Sequence, residues 1–136
     1  PKPDLLSILI GTNDVGKDVK PVDFEGDYRF VLDASRKANP ALKIILIDPF
    51  VLRSGEIGTD NAWTKRRSAT DELRKVVVRL AKDYNALHLP MQDIFDQAAK
   101  SSSPNHWIWD GIHPLPAGHE LIARSWLDAV SARWPA

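Results

Sequence analysis

The segment DGIHPLPAGHE, Asp110 to Glu120, sets a carboxylate three residues before an imidazole, with a glycine between them. A histidine works as a general base when one ring nitrogen faces the proton to be removed. Its other N–H must be held by an acceptor, which fixes the tautomer and stabilises the imidazolium. In a tight loop Asp110 can curl back and serve His113 in that way. A turn-capping aspartate beside a surface histidine has the same spacing, so the pair alone leaves both readings open. The second cluster is ILIGTNDVG. There Gly11 follows an apolar run and permits a close backbone approach or an unusual φ. Asn13 carries a side-chain N–H able to meet an oxyanion. Gly, Asn and Asp are also the ordinary residues of a strand-to-loop turn.

Other residue types could contribute around these two clusters. Trp107 and Trp109 flank Ile108 just ahead of Asp110, where they could wall a sugar or acyl group or pack the loop onto a core. Trp63, Lys65, Arg66 and Arg67 open a helical pattern and could meet an anionic group or sugar; the alternative is a solvated helix face. His119 and Glu120 do not form H-E-x-x-H, and the chain has no cysteine. No metal or cofactor is therefore assigned. Asp48 is expected to brace the loops without chemistry of its own, and His88 and His106 receive no role.

Three apolar runs can position these clusters: Leu5 to Ile10, Lys43 to Ile47 and the short Ala86 to Leu89. Continuous apolar strands indicate a parallel sheet covered on both faces. Helical spacing falls between them. Phe24, Tyr28, Val31, Leu32 and Ser35 share one face, and Asn39-Pro40 stops that helix. Trp63, Thr70, Leu73, Val77, Leu80 and Tyr84 mark a long second helix. Met91, Ile94, Phe95, Ala98 and Ala99 mark a shorter third. Pro116 suits the first turn of a last helix lined by Leu121, Ile122, Trp126, Ala129 and Val130. This order predicts an α/β fold, a three-layer doubly wound parallel sheet. In such sheets the site lies beyond the carboxyl ends of the strands, which puts GTND and HWIWDGIHP on one rim.

At 136 residues the chain is one domain, and 43% hydrophobic with 26% charged residues is ordinary globular composition. Eighteen basic and eighteen acidic side chains cancel, so no electrostatic argument for a nucleic-acid partner follows, since such partners usually need a basic face. The longest apolar run is far below the ~18 residues of a membrane span, and the compartment stays open.

Taken together, GTND and DGIHPLPAGHELIA resemble the third and fifth sequence blocks of the SGNH (GDSL-type) hydrolases. The order of strands and helices between them also fits. The resemblance implies a flavodoxin-like fold and ester hydrolysis through an acyl-enzyme, with Asp110 and His113 as base pair and Asn13 as oxyanion donor. It implies no cofactor. The family's first block, Gly-Asp-Ser, is absent, and none of the nine serines follows Gly-Asp. The second-block glycine is also absent, and there is no G-x-S-x-G elbow. Residues 1–136 are therefore expected to be the C-terminal part of one SGNH domain that lacks its N-terminal strands. The missing part would be two βα units, on the order of 60 residues. A companion N-terminal polypeptide segment carrying Gly-Asp-Ser is the expected partner, and without it the first strand would be an apolar sheet edge.

The expected substrate is a small-molecule or carbohydrate ester, with short acyl groups such as acetyl favoured by the tryptophans near the rim. The same family includes lysophospholipases and thioesterases, and a scaffold that only binds a ligand is a further alternative. An unrelated flavodoxin-like domain would need a phosphate cradle after its first strand, which GTNDVGKD does not provide.

Overall fold

The computed structural model describes residues 3–135. Three parallel strands, β1 (Leu5–Leu9), β2 (Lys43–Ile47) and β3 (Leu87–Leu89), lie in the order β1-β2-β3. Leu5 pairs with Lys43 and Leu9 with Ile47, while Ile45 pairs with Leu87 and Ile47 with Leu89. Central β2 is buried from Ile44 to Ile47, as expected of a parallel strand covered on both faces.

Alternation along β2 divides the core into two clusters. Ile44 and Leu46 pack with Phe24, Tyr28 and Leu32 of α2 (Pro21–Ala38) and with Leu73, Val77 and Leu80 of α3 (Asp60–Asp83). Ile45 and Ile47 pack on the other face with Phe50, Met91, Phe95 and Ile108. Met91 and Phe95 come from α4 (Met91–Ala98). The half-buried Trp126 and Val130 of α6 (Pro116–Arg133) cover the same cluster. The result is the three-layer α/β arrangement expected from the apolar runs. Among the described residues no helix is long and apolar enough to cross a membrane.

Three short elements on the rim escape the sequence pattern: α1 (Thr12–Gly16), a 3-10 turn at Gly55–Gly58 and α5 (Pro104–Trp107). Each spans little more than one turn, too short to show a period. Val31 also departs from expectation and is 45% exposed. At 100° per residue it falls on the flank of α2 away from Glu25 and Arg29. Those two residues tie α2 to α3, Glu25 to Arg79 at 2.6 Å and Arg29 to Asp83 at 2.5 Å.

The β3 side of the sheet is closed by charge. Asp48, fully buried, accepts from Arg74 Nε at 3.0 Å and lies 2.7 Å from His88 Nε2. Arg74 also reaches Asp71 at 2.9 Å and Asp93 at 2.6 Å, which joins α3 to α4. Asp48 thus braces the rim, and His88, assigned nothing from sequence, is one of its partners. On the opposite side, Leu9 and Ile10 at the end of β1 are 40% and 42% exposed.

Candidate active site

The Asp110 carboxylate uses both oxygens. Oδ1 accepts the backbone N–H of Ile112 at 3.0 Å and of His113 at 2.8 Å, which closes the loop. Oδ2 lies 2.5 Å from Nδ1 of His113. Burial pushes the Asp110 carboxyl up, but the His113 ring and the two backbone N–H groups outweigh it and hold the group below its ordinary range. The Asp110 side chain is 18% exposed and that of His113 is 67% exposed. A mostly buried acceptor therefore grips one ring nitrogen while the ring stands open to solvent.

The surrounding chain fixes this loop. Ile108 is fully buried and forms an isolated antiparallel bridge with Pro114. Leu115 N donates to Trp107 O at 2.8 Å, and Leu52 N donates to Gly111 O at 2.9 Å. Gly111 supplies the curl with a φ of 95°. Gly55 presses against the loop from the 3-10 turn: a Cβ there would lie 2.6 Å from Cα of Asp110. Only glycine permits that approach.

Asn13 and His113, a hundred residues apart in sequence, line one depression of about 330 Å³. Its wall also includes Leu9, Thr12, Phe50, Ile112, Pro114, His119 and Ile122. Leu9 places it beside the exposed end of β1. Phe50, whose ring centroid is 4.6 Å from that of Phe95, seats it on the second core cluster. Among the described residues no serine lines the depression. Ser54, just before the 3-10 turn, is 2% exposed and its hydroxyl has no partner.

Other candidates are placed differently from one another. Trp109 is 58% exposed and stacks on His113, with centroids 6.3 Å apart and planes at 22°. Trp107 instead packs against the second core cluster, with its indole N–H buried and unpartnered. It ends α5, so the alternation that would pair it with Trp109 is broken at that residue. Gly11 has the unusual φ expected of it, 114°, but is buried behind the depression rather than lining it. A Cβ at Gly11 would face Pro49 at 3.1 Å. Arg66 donates to Thr12 O at 2.8 Å, whereas Arg67 pairs with Asp71 and Asp96 away from the depression. Sequence reasoning did not bring Leu9, Phe50, Ile112, Pro114 or Ile122 to the wall, and weighed His119 only as a metal ligand, which it set aside. None of these residues carries a local signal for that position.

A parallel α/β sheet thus presents a histidine–aspartate pair and a free-standing asparagine around one recess beyond the carboxyl end of β1. A family model for the GDSL-like lipases/acylhydrolases matches residues 1–121, and the chain belongs to that family. It is 30% identical over 142 aligned positions to an acetylxylan esterase of Geobacillus stearothermophilus, covering 98% of this chain and 62% of that enzyme. The crystal structure of that organism's acetylxylan esterase Axe2 superposes with a TM-score of 0.78 at 29% identity, over 95% of this chain and 60% of that one. A protein of Parabacteroides merdae assigned to the GDSL-like lipases superposes with a TM-score of 0.87 at 34% identity, over 96% of this chain and 61% of that one. The chain therefore spans about three fifths of the length of these relatives.

Proposed function

We propose that this chain supplies the base and one oxyanion donor of a serine ester hydrolase that works through an acyl-enzyme. The observation that carries the reading is the shared recess of His113, held by Asp110, and Asn13. The nucleophilic serine comes from a segment outside these 136 residues. That segment carries Gly-Asp-Ser and packs against the exposed end of β1, which borders the recess. The absence of a serine from the wall among the described residues and the 62% coverage of the acetylxylan esterase support this. By this reading the isolated 136-residue chain is inactive.

His113 removes the serine proton through Nε2 while Asp110 holds Nδ1–H and stabilises the imidazolium. The serine oxygen attacks the ester carbonyl. The side-chain N–H of Asn13 donates to the oxyanion as it forms. His113 then returns the proton to the leaving alcohol, and water repeats the sequence to release the acid. The substrate is a short acyl ester, acetyl above all, on a carbohydrate. A recess of about 330 Å³ suits a small acyl group, the low end of ligand-pocket sizes. The exposed face of Trp109 beside His113 offers a surface for a sugar ring, and the 30% identical acetylxylan esterase supports the same class.

The test uses the complete hydrolase and measures acetate release from acetylated xylooligosaccharides. Asn13→Ala is expected to lower turnover about a hundredfold or more, and His113→Ala further. Full activity in either variant would sink the reading. A serine-reactive phosphonate should label a serine outside this chain; labelling of Ser54, or of any other serine within it, overturns the placement of the nucleophile.

A further inference from the structure

Asn13 has little of its own to hold it in place. It is exposed, on a helix of five residues, far below the ~12–15 at which an isolated helix becomes even marginally stable in water. Gly11 at the N-cap offers no side-chain cap. A donor lowers a barrier only when it is already aimed at the place where charge develops. The aim of Asn13 must therefore come from whatever holds α1.

Two contacts do so. Val15 is buried in the cluster between α2 and α3. From α3, Arg66 Nη2 donates to the carbonyl oxygen of Thr12 at 2.8 Å. That carbonyl belongs to the same peptide plane as the backbone nitrogen of Asn13, so the bond fixes the plane from which the Asn13 side chain departs. Gly16, one turn on, leaves room for the guanidinium: a Cβ there would lie 3.2 Å from Arg66 Nη1. Arg66 sits in a firm part of α3, four residues before the buried Thr70, whose hydroxyl bonds the Arg66 carbonyl at 2.9 Å. It lines the cleft on the other side of α1, with Val15 and Gly16, and not the recess of His113.

We infer that Arg66 is a positioning residue: by holding the Thr12–Asn13 peptide plane from α3, it aims the Asn13 amide at the oxyanion without touching the substrate. The inference rests on the proposed role of Asn13. A guanidinium suits the task because it is always charged and its planar fork loses little freedom on bonding.

The experiment is a double-mutant comparison in the complete hydrolase with an acetyl ester. Arg66→Ala should lower kcat about tenfold, with KM within about twofold, because a misaimed donor costs transition-state stabilisation rather than binding. In an Asn13→Ala background the same change should alter kcat by less than about twofold, because no amide remains to be aimed. Arg66→Lys, which keeps charge and stem, should recover part of the loss, and it carries the same comparison should the alanine variant not fold. Equal losses in both backgrounds, or a lowered melting temperature with kcat intact, overturns the inference. Full activity of Asn13→Ala alone is a separate outcome, which removes the role of Asn13 itself.

Discussion

At the β3 edge Asp48 is wholly buried and gripped by Arg74 and His88; at the β1 edge Leu9 and Ile10 stand 40% and 42% exposed. The first edge is finished with side chains from α3, β3 and α4, all within this chain. A buried carboxylate is tolerated there because its partners satisfy it. The second edge offers apolar side chains on the outermost strand, the kind of border that proteins cover, charge or shorten. The charged edge needs nothing more, whereas the apolar edge adjoins the recess of His113 and Asn13. Self-sufficiency and chemistry thus lie at opposite borders of the same sheet.

The contrast can be broken most severely at the charged edge. Asp48→Ala removes the buried acceptor shared by Arg74 and His88 and leaves the Arg74 guanidinium with Asp71 and Asp93 alone, at an expected cost of ~2 kcal/mol, read from urea unfolding. An unchanged midpoint would mean that the network is ornamental.

Acid should act on the same edge less abruptly. Burial raises the Asp71 carboxyl, but hydrogen bonds from Arg74 and Arg67 outweigh it and hold the group below its ordinary value of 3.8. A carboxylate lowered by folding stabilises the folded state above its ordinary value, and that contribution fades as pH falls through the lowered one. Unfolding midpoints followed from neutral pH downward should therefore drop below about 3.8, and Asp71→Asn should flatten part of that limb. An identical acid limb in the variant would exclude Asp71 as a contributor.

At the apolar edge, Ile10→Lys should change stability of the chain by no more than ~0.5 kcal/mol, because the side chain is substantially exposed. The same substitution should weaken association with the proposed segment carrying Gly-Asp-Ser, measured by titrating such a segment against wild-type and variant chains. Equal affinities would show that this border is not the contact.

The legibility of the molecule follows the same division. β2 is a continuous apolar run and the long helices repeat their apolar pattern over several turns, so their existence and their buried faces, Val31 of α2 excepted, could be read directly. Asp110 and His113 could be read because the loop that joins them is local, three residues with a glycine inside. Asn13 acquired meaning only together with the Asp110–His113 segment, since GTND alone is an ordinary turn. The recess could not be read at all beyond those residues. Leu9, Phe50 and the α6 residues His119 and Ile122 reach it from three separate segments, and nothing local marks them. The Asp48 network was hidden for the same reason, because its partners come from α3, β3 and α4. The two tryptophans show how narrow the margin is. Trp107 and Trp109 look equivalent in HWIWD, but one closes a helical turn and the other lies beyond it.

The two oxygens of Asp110 do unlike jobs, one shaping the loop and the other gripping the imidazole. This economy leaves no redundancy. Converting that carboxylate to a methyl group deforms the bend and disarms the ring in a single event, whereas an amide keeps one oxygen for the two backbone N–H groups and gives up only the grip on the imidazole, so the shape of the loop and the readiness of the base part company at a single atom.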